Sequence, residues 1–248
     1  MSERFQPTGP MVALIVLVTT GLLLGVLVWQ SFRALPPDFT QYPGGPVRKA
    51  AFFDYIGPII DRENARRRDR RERLKALGDG ASWVKRDRIW VEDLADFYGV
   101  DAGLPDEELV KALLVHVDTI PRGLALAQAA KESAWGTSRF AIEGNNYFGQ
   151  RCYDKGCGMV PASRPADAKF EVRRFDSVEA SVASYVNNIN GHPEYEALRA
   201  YRAERRRRGE PVTGIQAAEK ISQYSERRQA YIDEIQSLIF FNGLDDTE

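Results

Sequence analysis

Residues 122–136 read Arg122-Gly-Leu-Ala-Leu-Ala-Gln-Ala-Ala-Lys-Glu-Ser-Ala-Trp-Gly136. Pro121 precedes this stretch, and proline is favoured at the start of a helix. The alanine and leucine content predicts a buried helix that ends by Gly136, because glycine is common just past a helix end. Glu132 is therefore expected at a helix C-terminus, close to Trp135.

A carboxyl group in that place has the properties of a general acid. It is partly desolvated and lies away from the positive end of the helix, so its neutral form is favoured. The competing interpretation of Glu132 is an ordinary glutamate at the end of a helix. From the residue and its position alone, both interpretations stay open.

The composition of the chain excludes few classes of protein. Its 248 residues allow one or two domains, with fractions of apolar and charged residues that are ordinary for globular proteins. The 34 lysines and arginines against 35 acidic residues give no reason to expect nucleic acid as a partner.

The N-terminal part predicts a membrane anchor. After a tail of residues 1–10, Met11–Gln30 is apolar and uncharged for about the 20 residues that a helix needs to cross a bilayer. A cleaved signal peptide fits less well, because no small-residue cleavage site follows. Residues 31–48 are rich in proline and glycine and indicate an extended tether.

Residues 49–104 are expected to form a helical extension. A helix is predicted from Val47 to about Leu77, in which Arg66–Arg73 is a strongly charged continuation that we interpret as a solvated helix. Contact of these arginines with anionic lipid or wall polymer is the alternative. Helices are also predicted at Trp83–Tyr98 and after Pro105, both packing onto a catalytic core.

The remaining domain, residues 105–244, is expected to be mainly helical with one small β region. Turns and short alternating stretches between Asn145 and Phe175 indicate a β-hairpin. Asp176-Ser-Val-Glu179 resembles a helix N-cap. Further helices are predicted at residues 180–189, 193–206, 214–222 and 228–240.

The two cysteines, Cys152 and Cys157, flank a turn at Gly156 and predict a small disulfide loop, which favours an oxidising compartment. A metal pair and two free thiols are the alternatives. Neither His116 nor His192 stands at a zinc-motif spacing from these cysteines, so neither a metal nor a cofactor is expected.

Three separated motifs carry a resemblance to a known family. They are Glu132-Ser-Ala-Trp-Gly136, Asn145-Asn-Tyr-Phe-Gly149 and the paired tyrosines Tyr224 and Tyr231 before the last helix. Together these motifs resemble the bacterial glucosaminidases, over roughly Pro121 to Leu244. The Cys-x4-Cys insert and the N-terminal apolar segment are most similar to the Bax-type proteins of Gram-negative bacteria. The tyrosine spacing departs from the family's usual Tyr-x5-Tyr, because six residues separate the two tyrosines here.

The resemblance implies a lysozyme-like α+β fold and a set of site residues. Glu132 falls on the family's general acid, and lysozyme likewise raises the pKa of its acid against a tryptophan. Tyr224 falls on a cleft tyrosine that would position the substrate or a water. Tyr231 is a candidate for substrate binding, with packing as the simpler alternative. The positions that match the cleft floor are Trp135, Asn146, Phe148 and Gly149.

The second carboxylate is harder to assign, because the family places it on a variable β-hairpin. We choose Glu171, on an expected strand. Asp154 in the cysteine loop is the alternative, and Arg173 and Arg174 would otherwise make Glu171 a surface ion-pair partner. A route through the substrate's own acetamido group would need no second carboxylate.

Aromatic and amide side chains near Glu132 are candidates for sugar binding: Trp135, Asn145, Tyr147 and Tyr153. For Tyr147 and Tyr153, packing in the protein and contact with substrate are both open readings.

The expected function is hydrolysis of peptidoglycan glycan strands after N-acetylglucosamine, by a single-pass inner-membrane protein with its catalytic domain in the periplasm. A lytic transglycosylase on the same fold and a non-catalytic cell-wall-binding module are the alternatives.

Overall fold

The computed structural model describes residues 17–18, 20–21, 35–80, 82–162, 164–165 and 167–245. Residues 1–37 form one unit and residues 38–248 another. Among the described residues, no helix is both long enough and apolar enough to span a bilayer. Most of the predicted anchor, Met11–Gln30, lies outside the described residues.

Within the described part of the second unit, helices dominate and three short strands form one sheet. The helices are α1 (Pro46–Gly78), α2 (Lys85–Tyr98), α3 (Asp106–His116), α4 (Arg122–Glu132), α5 (Arg139–Gly144), α6 (Val178–Gly191), α7 (Glu196–Arg207), α8 (Gly214–Ala218) and α9 (Gln229–Phe241), with 3-10 turns at Phe39–Gln41 and Pro193–Tyr195. The strands are β1 (Arg151–Cys152), β2 (Gly158–Met159) and β3 (Glu171–Arg173). This mainly helical α+β architecture is the one that the sequence predicts.

Helix α1 begins at Pro46, which suits the first turn because its missing N–H has no partner there. Its first half places Phe52, Ile56, Ile59 and Ile60 on one face, at helical spacing, and all four are buried in the main core. Helix α4 lies in the same core and is buried from Gly123 to Ala130. The predicted extension therefore supplies part of the core on which α4 packs.

Most of the charged run in α1 is exposed, as the sequence predicts, but two of its arginines are buried. Arg67 is only 3% exposed and Arg71 9%. Arg67 forms an ion pair with Glu63 and donates to Asn187 Oδ1 at 2.8 Å, while Arg71 donates to Val117 O at 3.0 Å. These two guanidinium groups tolerate burial because partners from distant parts of the chain accept their hydrogen bonds.

Helices α2 and α3 differ in part from the expectation that they pack onto the catalytic core. Their buried side chains, including Val91, Leu94, Leu109 and Leu113, form a separate apolar cluster with Leu74 from the end of α1. The long helix α1 therefore contributes to both apolar clusters, and it links the extension to the domain that contains α4.

The β region is a three-stranded antiparallel sheet in the order β1-β3-β2, as far as the structure describes it, rather than a simple hairpin. Cys152 pairs with Glu171, and Gly158 with Arg173. The Cys152–Cys157 disulfide is formed, as predicted, and closes the loop that joins β1 to β2. Gly158 is required at its position because a Cβ atom there would strike the backbone of Val172.

Candidate active site

Glu132 is the last residue of α4, and its side chain is half-buried. Its carboxyl group faces the backbone of Gly149, where a Cβ atom would lie 3.2 Å from Oε2. Gly149 is itself exposed and has a φ of +65°, which favours glycine. The turn that contains Gly149 therefore covers one side of the carboxyl group without a side chain of its own.

Burial raises the pKa of Glu132, while a hydrogen bond from Tyr231 and the charge of Lys131 act in the opposite direction. The C-terminal end of α4 adds a negative potential that also disfavours the ionised form. The net upward shift means that Glu132 holds its proton at a higher pH than an ordinary glutamate. This is the property that a general acid needs.

A chain of hydrogen bonds inside the protein leads to Glu132. The hydroxyl of Tyr185 donates to Gln128 Oε1 at 2.6 Å, and Gln128 Nε2 donates to the Tyr231 hydroxyl at 3.0 Å. The Tyr231 hydroxyl then donates to Glu132. Gln128 has no exposed surface and Tyr231 is 2% exposed, so this chain is shielded from water and fixes the orientation of the carboxyl group.

Lys131, which precedes Glu132 in sequence, is paired with a different carboxylate. It forms an ion pair with Glu234, which also pairs with Arg227. The hydrogen bonds from Arg227 and Lys131 lower the pKa of Glu234 to about 2. Glu234 thus partly neutralises Lys131, which limits how far that lysine lowers the pKa of Glu132.

The turn after Glu132 has an unusual backbone, in which Ala134, Trp135 and Gly136 all have positive φ values of 50°, 61° and 75°. Ser133 Oγ accepts a hydrogen bond from the Gly136 N–H at 2.8 Å and stabilises the turn. Phe39 packs so closely on Gly136 that a Cβ atom there would collide with its ring. Two strained non-glycine residues beside a candidate catalytic group are typical of a functional site.

We expect Gly136→Ala to lower the free energy of unfolding by about 2–4 kcal/mol, because it combines a left-handed backbone with overpacking against Phe39. Urea unfolding measures the change. The matched control is Gly209→Ala, because Gly209 also has a positive φ, +68°, but has open space around it. Only the cost of a left-handed backbone at alanine, about 1–2 kcal/mol, is expected there. Equal losses in the two variants would contradict the role given to Phe39.

Trp135 packs against α1 and not, as the sequence suggests, mainly against Glu132. Its ring makes edge contacts with Phe52 and Phe53, at centroid distances of 5.8 and 5.4 Å, and Lys49 Nζ lies 5.2 Å from its centroid. It remains half-buried, so one part of the ring is accessible. The tryptophan thus fixes the turn after Glu132 to the extension helix.

Asn146 is 1% exposed and shapes the turn that faces Glu132. Its amide donates to the carbonyls of Gln150 and Arg173, each at 2.9 Å, and its Oδ1 accepts from the N–H groups of Phe148 and Gln150. Asn145 ends α5 with a φ of 50° and donates to Phe175 O at 2.9 Å. Both predicted substrate-binding asparagines thus form hydrogen bonds with backbone groups of the protein.

Tyr147 and Phe148 are buried, with 1% and 2% exposure. The ring of Tyr147 lies 6.1 Å from that of Phe52 in the core, so packing is the reading that the structure supports, and the side chain is not accessible to a sugar here. Phe148 stacks on Tyr185 at 4.0 Å. In contrast, Tyr153 is 74% exposed and remains available for contact.

The two tyrosines near the C-terminus both come to the site despite their changed spacing. Their rings stack at 5.6 Å. The hydroxyl of the half-buried Tyr224 donates a hydrogen bond to Phe148 O at 3.0 Å, while the Tyr231 hydroxyl forms a hydrogen bond with Glu132. In this structure Tyr231 therefore contacts the candidate acid, and Tyr224 holds the turn opposite it.

We expect Tyr231→Phe to lower kcat about tenfold, because it removes the hydrogen bond that orients Glu132 and that stabilises its carboxylate as the proton is transferred. Since that bond lowers the pKa of Glu132, its removal is also expected to move the basic limb of the kcat profile to higher pH. Steady-state rates on purified peptidoglycan across pH measure both effects. If Tyr231 had only a structural role, the basic limb of the kcat profile would stay at the same pH in the variant. The control is Tyr201→Phe, whose half-buried tyrosine lies on α7 away from Glu132.

Glu171, the predicted second carboxylate, begins β3 and is 7% exposed. Its two oxygens accept hydrogen bonds from the N–H groups of Gly156 and Gly158, at 3.0 and 2.8 Å. These two bonds lower its pKa, so the carboxylate stays ionised. As placed here, Glu171 holds the cysteine loop against β3.

Sequence reasoning missed several residues of the site. Gln128 lies four residues before Glu132 and therefore on the same face of α4, which is a signal that spacing alone contained. Tyr185, Phe39 and Phe52 come from distant segments and carry no such signal. Within the described ranges, no three histidine, cysteine or acidic side chains cluster in a way that would hold a metal ion.

Comparison with known proteins identifies the family. Residues 109–242 match the family model described as Glucosaminidase: Mannosyl-glycoprotein endo-beta-N-acetylglucosaminidase. The chain is 34% identical over 196 residues to Protein bax of Escherichia coli (strain K12), an alignment that covers 79% of this chain and 70% of that protein. No solved structure gives a significant match. The motifs around Glu132, Gly149 and the paired tyrosines all lie inside the matched region, and the chain is a Bax-like member of the glucosaminidase family, a family of glycosidase-type enzymes.

Proposed function

We propose that the protein hydrolyses the β-1,4 bond after N-acetylglucosamine in peptidoglycan glycan strands, with Glu132 as the general acid. The observation that carries this proposal is the half-buried carboxyl group at the end of α4, whose pKa is raised by burial and whose orientation is fixed by Tyr231. Family membership supports a glycosidase. The mainly helical α+β fold is consistent with the lysozyme-like fold expected for this activity.

In this mechanism Glu132 protonates the glycosidic oxygen while the bond to the anomeric carbon breaks, and a water molecule later supplies the hydroxyl at that carbon. Glu132 takes back the proton as the base in the second step. The exposed face of the Gly149 turn allows a sugar to approach the carboxyl group closely. Tyr224 would position the substrate or the water near its hydroxyl.

Two groups are candidates for the second catalytic role: Glu171 and the acetamido group of the substrate. Glu171 would act as base or nucleophile if it exchanged its bonds to Gly156 and Gly158 for substrate or water. Otherwise the acetamido group of the substrate attacks the anomeric carbon, and Glu171 keeps the cysteine loop in place. The two backbone hydrogen bonds to its carboxylate favour the substrate-assisted route.

On this route we expect Glu171→Gln to retain at least about a tenth of the wild-type kcat, because its effect is limited to the loop. A direct catalytic role would lower kcat roughly 10²–10⁴-fold. Initial rates on purified peptidoglycan separate the two, and Asp154→Asn in the same loop serves as the control and tests the alternative carboxylate.

A lytic transglycosylase is the second candidate, since one carboxyl group suffices as its acid and base and Glu171 is held by backbone N–H groups. A non-catalytic wall-binding module is a third. A gel that contains purified cell wall tests all enzymatic readings together, because a zone of clearing by wild type and none by Glu132→Gln would exclude the binding module. Equal clearing by both proteins would remove Glu132 from its role.

We also propose that Met11–Gln30 anchors the protein in the inner membrane, with the catalytic domain in the periplasm. The uncharged apolar segment and the Cys152–Cys157 disulfide support this location. An alkaline phosphatase fused after Glu248 is expected to be active, since that enzyme requires an oxidising compartment. Activity of a cytoplasmic reporter alone would contradict it.

A further inference from the structure

A concave site lies at the start of α4, at the opposite end of that helix from Glu132. The 11 residues of α4 separate the two by about 15 Å. The pocket has a volume of about 430 Å³ and lies where α1, α4 and α7 meet. Its charged lining consists of Asp61, Arg68, Arg122, Arg202, Arg206 and Glu210.

One guanidinium of this pocket, that of Arg202, is buried and shares the nearby carboxylate of Asp118 with Arg206 and Arg71. Arg202 is 2% exposed and donates to Thr119 O at 2.7 Å and to Asn190 Oδ1. Its Nε atom has no hydrogen-bond partner among the described residues. A single buried carboxylate shared by three guanidinium groups leaves an excess of positive charge, which an anion in the adjacent space would balance.

The carboxylates around the pocket are already paired. Asp61 accepts from Arg122 at 2.9 Å, and Glu210 pairs with Arg205 at 2.7 Å. The buried Asp118, beneath the pocket, pairs with Arg206. Four guanidinium groups thus line the pocket against two carboxylates, and the exposed Arg68 has no ion-pair partner within the described chain.

The start of α4 adds to the positive potential. Pro121 and Arg122 line the pocket, and the N-cap residue, Pro121, makes no side-chain hydrogen bond to the helix. The first N–H groups of a helix attract anions, and α4 is long enough to have a full dipole. Among the described residues, Asp245 also approaches this end of α4, where its oxygens accept hydrogen bonds from the Gly214 and Ile215 N–H groups, and its charge offsets part of this potential.

We propose that this pocket binds a small oxyanion, a carboxylate or phosphate group, between Arg68 and Arg202 at the start of α4. Guanidinium groups are the side chains best suited to such ligands, because their forked N–H donors match two oxygens of the anion. The site is separate from Glu132, and its ligand would stabilise the junction between α1 and the catalytic part of the domain.

Calorimetry and thermal unfolding of the full chain test this, with inorganic phosphate and acetate as probes and chloride at equal ionic strength as reference. We expect saturable binding and a rise in Tm with at least one oxyanion. Binding by acetate as tight as by phosphate would identify a carboxylate site, and binding by phosphate alone a phosphate site. No hydrolysis is measured, so the result is independent of the proposed glycosidase activity.

Arg68→Gln is expected to weaken binding about tenfold, since one charge-assisted contact is lost. Arg68 is exposed and forms no ion pair among the residues that the structure describes, so the variant should fold normally. The control is Arg70→Gln, an exposed arginine on the same helix that does not line the pocket. Absence of saturable binding beyond the chloride reference, or equal affinities in the two variants, would overturn the proposal.

Discussion

Glu132→Gln is expected to lower kcat on purified peptidoglycan by roughly 10²–10⁴-fold, the usual contribution of a general acid. Glutamine has the same size and still accepts the hydrogen bond of Tyr231, but it has no proton to give to the glycosidic oxygen. The loss should therefore appear in kcat more than in KM. Rates of soluble sugar release over a range of substrate concentrations measure it.

The stability of the same variant provides an independent check. Because burial raises the pKa of Glu132 in the folded protein, ionisation of this residue opposes folding at any pH above its unfolded pKa. The neutral Glu132→Gln should thus be at least as stable as wild type at neutral pH. Glu143→Gln, at an exposed glutamate near the site, is the control and should retain full activity. A Glu132→Gln enzyme with wild-type kcat would contradict the assignment.

Asp118→Asn is expected to lower the free energy of unfolding by about 3–5 kcal/mol, the range found when one partner of a buried ion pair is removed. Asp118 is 2% exposed and accepts hydrogen bonds from Arg206, while Arg71 lies 3.8 Å away. Without the carboxylate, Arg71, Arg202 and Arg206 repel one another inside the protein. Urea unfolding at neutral pH measures the loss.

The matched control for this prediction is Asp106→Asn, which removes a surface ion pair with Arg88 whose partners are both about half exposed. It should change the stability by less than about 1 kcal/mol. A loss for Asp118→Asn no larger than that of the control would contradict the buried network.

Acid should affect the same network. Burial by itself would raise the pKa of Asp118, but the hydrogen bonds of Arg206 and the nearby charges of Arg202 and Arg71 outweigh it and lower the pKa. Since the folded pKa lies below the unfolded one, the stabilisation is present above the unfolded pKa and is lost as pH falls through the folded value. Asp118→Asn should therefore lose less stability than wild type on acidification below about pH 4.

Helix positions could largely be predicted from the sequence, because they depend on local signals. The start of α4 after Pro121 and its end at Glu132 agree with the structure. Ser177 caps α6 by accepting from Ala180 N, as the motif at Asp176 suggests. The short strands were harder to predict, because their order depends on pairing between Arg151 and Val172, which are far apart in sequence.

The candidate acid was identifiable, but the cause of its burial was not. The sequence suggests that Trp135 desolvates Glu132, whereas the structure places the Trp135 ring on Phe52 and Phe53. The Gly149 turn and Tyr231 enclose the carboxyl group instead. These contacts join segments up to a hundred residues apart, so neither spacing nor composition could indicate them.

Charge patterns were the least reliable guide. The run Arg66–Arg73 has the composition of a solvated helix, yet Arg67 and Arg71 are buried. Their burial depends on acceptors at Asn187 and Val117, which become neighbours only when the chain folds. The arginines of the cationic pocket at the start of α4 also come from separate segments and become neighbours only when the chain folds.

The most direct test of the central claim is digestion of purified peptidoglycan in ¹⁸O-labelled water, followed by mass spectrometry of the released fragments. Hydrolysis after N-acetylglucosamine predicts new reducing N-acetylglucosamine ends that each carry one ¹⁸O atom, for wild type but not for Glu132→Gln. Anhydromuramic ends without the label would identify a transglycosylase and contradict the hydrolase. Labelled reducing ends on N-acetylmuramic acid would contradict the proposed bond specificity.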